Sequence, residues 1–259
     1  MDVRDRIVVV TGAAGGIGRA LARRCHAAGA KHVVCADLDA AGAHATAAGI
    51  GGTGRAVDVA REAEIAALID EVEREIGPID LFCCNAGISI RGGPEVPDAQ
   101  WQQIWEINVM AHVWAARHLV PRMIARGGGY FLNTASAAGL LSQVGSAPYA
   151  VTKHAAVGFA EWLALSYGDA GIKVSVLCPQ AVNTDMIRGK EDGVAAVDGL
   201  IEPEQVAEDC LRAIGEETFL VLPHPEVLGY MRRKTADYDR WIGGMRRLNR
   251  KFAPPPGHG

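Results

Sequence analysis

Tyr149 and Lys153 stand four residues apart, which puts a phenol and an ammonium one turn apart on one face of any helix that begins near Pro148. A free tyrosine titrates near 10, and stabilising its anion down to neutral pH takes about 4 kcal/mol, an amount that a fixed neighbouring cation largely supplies. The chemistry implied is proton exchange with an alcohol or a carbonyl at neutral pH. Spacing alone does not identify a site, because Tyr230 and Lys234 repeat it. Context separates the two copies. Thirteen residues before Tyr149 stands Ser136, in the small-residue run Asn133-Thr-Ala-Ser-Ala-Ala-Gly139 that follows the apolar, strand-like Tyr130 to Leu132; Glu217 holds the corresponding place before Tyr230. The second copy therefore reads as a turn of a surface helix.

Other chemistries fit less well. A serine hydrolase needs a G-x-S-x-G elbow, and Ser136 has Thr134 and Ala138 at the flanking positions. The eight histidines show no metal-binding pattern, and His26, His32, His44, His112, His118 and His154 read as helix or strand-edge residues. The six cysteines (Cys25, Cys35, Cys83, Cys84, Cys178, Cys210) lack paired metal spacing and read as reduced thiols of a cytoplasmic protein. Net charge is −4, so neither nucleic acid nor an anionic membrane is an expected partner. No stretch has the length of a membrane span, and the amino terminus lacks the layout of a signal peptide. At 259 residues and 49% hydrophobic, the chain is long enough for one large α/β domain.

The elements that must position Tyr149 begin at the amino terminus. Arg6 to Thr11 is a continuous β-branched run, the pattern of a parallel strand buried on both faces. It leads directly into Gly12-Ala-Ala-Gly-Gly-Ile-Gly18 and a helical pattern through Ala28. Such a turn either packs a strand tightly against a helix or lets backbone amides and the helix N-terminus hold a pyrophosphate. His32 to Ala36 reads as a second strand and ends in Asp37, nineteen residues beyond Gly18, at the distance expected of a ribose-binding carboxylate. Leu38 follows, not an arginine, which favours NAD over NADP. Against this, Asp37 and Asp39 are also the residues that start turns and cap helices, and Arg19 stands near enough in sequence to meet a phosphate.

Ala40 to Gly54 reads as helix and loop, and Arg55 to Val59 as a third strand carrying Asp58. Glu62 to Ile76 is amphipathic and stops at Gly77-Pro78, and Ile79 to Cys84 gives a fourth strand. Lys173 to Cys178 is a further buried strand, Met186 to Pro203 an aperiodic loop suited to a substrate lid, Glu204 to Ile214 a helix and Phe219 to Leu222 a last strand. From Val227 to Gly259 the chain adds a helical extension. Its stripe of Trp241, Ile242, Met245 and Leu248 belongs either to a helix with a solvated basic side or to one covering a cleft or a partner subunit. Pro254 to Gly259 reads as a frayed end.

Five motifs occur in order: Thr11-Gly-x-x-x-Gly-Ile-Gly18, Cys84-Asn-Ala-Gly87, Ile107-Asn-Val109, Ser136 and Tyr149-x-x-x-Lys153. Together they resemble the short-chain dehydrogenase/reductase family in its single-domain branch, across roughly residues 5 to 185. Tyr149 to Phe159 and Val182-Asn-Thr184 are most similar to the NAD-dependent hydroxyprostaglandin dehydrogenases and their bacterial relatives. The resemblance implies a Rossmann-type doubly wound parallel sheet of about seven strands with helices on both faces. It also implies that Gly12, Gly16, Ile17 and Gly18 shape the pyrophosphate site, Asp37 holds the ribose, Asp58 and Val59 border the adenine, and Asn85, Ala86 and Gly87 line the cofactor cleft. Pro179 would lie near the nicotinamide, Thr184 would cap the following helix or hydrogen-bond the carboxamide, Ser136 would hold the substrate oxygen, Tyr149 would move the proton and Lys153 would also bind the ribose. Asn108 would hold a water linking Lys153 to solvent, or, read without the family, make an ordinary backbone hydrogen bond. Gln180 departs from the family's Pro-Gly and either meets the substrate or the carboxamide or is merely tolerated.

The function expected is an NAD-dependent interconversion of a secondary alcohol and a ketone by a homodimer or homotetramer. Ile88, Ile90, Leu141, Val144, Val182 and Met186 point to a lipophilic small-molecule substrate. The alternatives are an NADPH-dependent ketoreductase and a non-catalytic nucleotide sensor.

Overall fold

The β-branched run forms β1 (Ile7–Thr11), buried along its whole length. In the computed structural model, which describes residues 1–189 and 193–252, six further strands join it: β2 (His32–Asp37), β3 (Thr53–Ala56), β4 (Leu81–Cys84), β5 (Gly129–Thr134), β6 (Ile172–Leu177) and β7 (Leu220–Val221). The expected Pro254 to Gly259 tail and part of the Met186 to Pro203 loop lie outside the described residues. All pairings are parallel and the order is β3-β2-β1-β4-β5-β6-β7. Parallel neighbours require crossovers, and ten helices are found among the described residues: α1 (Gly16–Ala27), α2 (Ala40–Ala48), α3 (Glu62–Glu75), α4 (Asp98–Trp105), α5 (Ala111–Ala125), α6 (Ala138–Leu141), α7 (Ala147–Tyr167), α8 (Pro203–Glu216), α9 (Glu226–Ala236) and α10 (Tyr238–Phe252).

Alternation along each strand feeds two cores. Ile7 and Val9 join Phe82, Phe131 and the inward faces of α3, α5 and α7, whereas Val8 and Val10 join Leu81, Leu132 and the inward faces of α1 and α8. This is why the strands are continuously apolar: both faces are covered. Each fully buried Phe82, Phe131 or Leu119 contributes about 1.5–3 kcal/mol.

After β3 the chain crosses β1 to lay down β4, so the strand order reverses between β1 and β4. A crevice opens at such a switch point beyond the strands' carboxyl ends. Two boundaries differ from expectation. β3 is Thr53–Ala56 rather than Arg55 to Val59, because α2 lies directly on Gly54: a Cβ there would sit 2.5 Å from the His44 ring. Asp58 consequently lies in the loop beyond the strand. Between α4 and α5, Glu106–Met110 forms a π-helical turn, and Asn108 sits in its middle, fully buried.

Candidate active site

A cavity of about 1820 Å³ occupies the switch-point crevice and extends beneath α9 and α10. Its floor at one end is the glycine turn. Gly12 has φ +68°, and a Cβ on it would lie 2.9 Å from the Ala86 Cα, so only glycine lets β1 turn that close to the loop after β4. At Gly18 an added Cβ would fall 2.0 Å from the Gly12 carbonyl oxygen, which brings α1 up against the turn. Asn85 locks the same region. Its side-chain amide donates to the Thr11 carbonyl (3.0 Å), its backbone N–H donates to the Thr11 hydroxyl (2.9 Å), and its Oδ1 accepts from Thr134 (3.2 Å), tying β1, β4 and β5 together.

Asp37 closes β2 at the cavity edge, where its carboxylate accepts the Ala14 and Asp39 N–H groups at 2.9 and 3.0 Å. Asp39, not Asp37, caps α2, through the Gly42 N–H. Asp58 and Val59 also line the cavity, with Leu38, Ala86 and Gly87. The Arg19 guanidinium is spent on the Ala14 carbonyl.

The other end carries Ser136, Tyr149 and Lys153. β5 delivers Ser136 through the small-residue run, and its Oγ accepts the Ala138 N–H (3.1 Å) and donates to the Pro179 carbonyl (3.4 Å). α7 starts with Pro148 in its first turn, where no amide is needed, and so presents Tyr149 and Lys153 to the cavity. The Lys153 Nζ donates to the Thr134 carbonyl at 3.0 Å and stands 5.6 Å from the Tyr149 ring centroid.

The electrostatics correct one expectation. Burial raises the Tyr149 phenol above the ordinary tyrosine value, with the Ser136 hydroxyl pulling the other way, and burial lowers Lys153 to about 8. The Lys153 ammonium donates to the Thr134 carbonyl, and burial is the largest influence on Tyr149, so the phenol lies above and not below its ordinary value. Asn108 is likewise engaged elsewhere. Its Oδ1 accepts the Ile88 N–H (2.9 Å), and its Nδ2 donates to the Ile88 carbonyl (3.0 Å) and to Thr152 (3.2 Å).

Pro179 and Thr184 line the cavity, but the Thr184 hydroxyl donates to the Val182 carbonyl, and only a turn follows it, not a helix. Ile88, Leu141, Val144, Val182 and Met186 line the cavity, whereas Ile90 does not; its carbonyl accepts from Ser146. Tyr230 and Lys234, expected on a surface turn, instead hold α9 to the site. The Tyr230 hydroxyl donates to Asp198 (2.8 Å), Lys234 donates to the Leu140 carbonyl (2.6 Å), and Gln180 reaches the other oxygen of Asp198 (2.9 Å). The Gln180 Nε2 thus joins the loop after β6 to Asp198 and, through it, to α9, while its Oε1 has no hydrogen-bond partner and the residue lines the cavity. The departure from Pro-Gly marked it in advance; nothing in the sequence marked Asp198.

Among the described residues no three His, Cys, Asp or Glu gather as metal ligands, and no helix is long and apolar enough to cross a membrane. All six cysteines are buried and unpaired.

Comparison with known proteins gives a consistent picture. A 1-deoxy-11-beta-hydroxypentalenate dehydrogenase of Streptomyces exfoliatus is 36% identical over 252 residues, covering 93% of this chain and 91% of the relative. A meso-2,3-butanediol dehydrogenase of Serratia marcescens is 33% identical, covering 80% and 86%. A short chain dehydrogenase/reductase from Burkholderia phymatum, solved in complex with NAD, superposes with a TM-score of 0.85 at 28% identity, over 93% of this chain and 96% of that one. The short chain dehydrogenase profile matches residues 6–195, and with the seven-stranded parallel sheet and these dehydrogenase relatives the chain belongs to the short-chain dehydrogenase/reductase family of oxidoreductases.

Proposed function

We propose that the chain is an NAD-dependent dehydrogenase that interconverts a secondary alcohol and a ketone on a lipophilic substrate. The observation that carries this reading is the convergence of Ser136, Tyr149 and Lys153 on the same cavity as the glycine turn and Asp37. The residues fit a dinucleotide. At Gly15, the N-cap of α1, no protein atom lies within 4 Å of where a Cβ would stand, which leaves a cradle at the helix's positive end for a pyrophosphate. Asp37 is positioned to accept from a ribose diol and to repel a 2′-phosphate, and Arg19 is already bound within the turn. The NAD-bound neighbour supports the same preference over NADP.

Bound NAD supplies the hydride acceptor for alcohol oxidation. The chain does the rest. Ser136 and Tyr149 hold the substrate oxygen, and Tyr149 takes the hydroxyl proton as the carbon gives up its hydrogen with both electrons. Lys153, near 8, is a proton partner matched to working pH and also reaches a ribose hydroxyl. Asn108 braces the Ile88 backbone and Thr152. Pro179 and Thr184, which line the cavity, would lie at the nicotinamide end of a bound NAD. A non-catalytic nucleotide sensor leaves unexplained why the chain buries an ammonium at Lys153 beside the half-buried Tyr149, an arrangement that costs stability. Ile88, Leu141, Val144 and Met186 give the substrate end its apolar character.

The test is Tyr149→Phe. Turnover of a secondary alcohol with NAD falls by about 10²–10⁴, while the dissociation constant for NAD, measured by titration, changes less than about twofold. Retained turnover in this variant sinks the proposal.

A further inference from the structure

The inner wall of the cavity is apolar and its outer wall is cationic. On α10, Trp241, Met245 and Leu248 lie half-buried along the cavity, and Trp241 packs against the cluster of Ala137, Leu141 and Val227 next to Ser136. Arg240 and Arg247, seven residues apart and therefore near one face of the same helix, also line the cavity but are exposed. Arg233 of α9 joins them, its guanidinium 4.7 Å over the Tyr230 ring, and Arg91 lines the cavity from the loop after β4. From Val227 to Phe252 the chain carries eight Arg and Lys against two Asp, although the whole protein has a net charge of −4.

Of the acidic groups in this part of the cavity, Asp185 pairs with Arg188, whereas Glu95 and Asp237 accept only backbone N–H groups, those of Gly93 (2.6 Å) and Arg240 (2.9 Å), and keep their charge. No ion pair joins the side chains of Arg91, Arg233, Arg240 and Arg247 to a carboxylate among the described residues. Four guanidinium groups against two such carboxylates leave this wall net cationic, a field that draws in an anion, and the planar fork of arginine matches a carboxylate.

We propose, resting on the reading of the preceding subsection, that the substrate is an apolar hydroxy acid. Its secondary hydroxyl meets Ser136 and Tyr149, its hydrocarbon body lies along Leu141, Trp241 and Met245, and its carboxylate meets the arginines of α9 and α10. The redox step is unchanged: the carbinol C–H leaves as hydride to NAD, the O–H proton goes to Tyr149, and the carboxylate is neither oxidised nor reduced.

The experiment pairs fatty acids carrying a hydroxyl on the carbon next to the terminal methyl, from hexanoic to dodecanoic, with secondary alcohols of the same skeleton that lack the carboxylate. Reduction of NAD is followed for each pair in the full-length protein. In addition, binding of the unhydroxylated fatty acids and of the matching primary alcohols to the NAD-loaded protein is measured by calorimetry. At low salt the best acid exceeds its neutral partner in kcat/KM by about tenfold, mostly through KM, and the advantage falls to about twofold in roughly 0.5 M salt. The double variant Arg240→Gln/Arg247→Gln loses the advantage while oxidising the neutral alcohol as the wild type does. Equal kcat/KM for acid and neutral alcohol, or an advantage that survives the double variant, overturns this inference and leaves the dehydrogenase reading standing. Fatty-acid binding that depends on the two arginines, with no NAD reduced by any alcohol, upholds the anion site and overturns the dehydrogenase reading instead.

Discussion

His112 lies on the first turn of α5, only 1% exposed, and neither of its ring nitrogens has a hydrogen-bond partner in the described structure. Burial, with the Lys153 ammonium adding to it, holds its pKa down to about 3 from the ordinary 6.5. Between these values the unfolded chain binds a proton that the folded chain refuses, so the stability contributed by neutral His112 is complete above about pH 6.5 and drains away as pH falls toward 3. One pH unit in that window corresponds to about 1.4 kcal/mol. Acidifying from about pH 7.5 to about pH 5 therefore removes about 2 kcal/mol through this one group. The perturbation is His112→Leu, which keeps a side chain of similar volume and cannot titrate. Urea unfolding of both proteins at the two pH values gives four free energies, and carboxylates common to both cancel in the double difference. The expected double difference is about 2 kcal/mol, the wild type losing more. Removing an unpartnered buried ring also leaves the variant about 1 kcal/mol or more above the wild type at the lower pH. Equal acid sensitivity in the two proteins refutes the reasoning, because it means His112 is either solvated or paired in solution.

Two further changes test the ends of the cavity. Asp37→Ser removes the carboxylate that would repel a 2′-phosphate, so the ratio of NADP to NAD dissociation constants should move toward NADP by at least tenfold, about 1.4 kcal/mol; an unmoved ratio in a binding titration would remove Asp37 from the specificity argument. Tyr230→Phe deletes one donor to Asp198 while Gln180 keeps the other oxygen. It should lower stability by about 1 kcal/mol and raise KM severalfold with little change in kcat, and an unaltered KM would show that the tie between α9 and Asp198 does not shape the substrate end.

What was legible in the sequence was what is local. The buried strands β1 and β2, the glycine turn between them and the Tyr149–Lys153 spacing each depend on residues within a few turns of one another, and periodicity reports such neighbours directly. β3 was misplaced because Gly52 and Gly54 read as loop residues; a side chain at Gly54 would strike His44 of α2, and one at Gly52 the Val33 carbonyl of β2. The π-helical turn around Asn108 leaves no mark in the pattern of residues. The partners of Tyr230 and Lys234 lie 32 and 94 residues away along the chain, so a spacing argument confined to one helix assigned them to the surface. The arginine wall was visible only as composition, because which side of α10 meets the cavity depends on where α9 turns the chain.

The same distinction governs Tyr149. Spacing puts Lys153 beside it, and in a peptide helix that cation would favour the phenolate. In the folded protein the two groups share a desolvated site, and burial moves both toward neutrality: the phenol upward, the ammonium down to about 8. A static charge next to the phenol is therefore the wrong description of what Lys153 contributes. The Lys153 Nζ donates to the Thr134 carbonyl, and a pKa of about 8 leaves it able to exchange a proton close to neutrality.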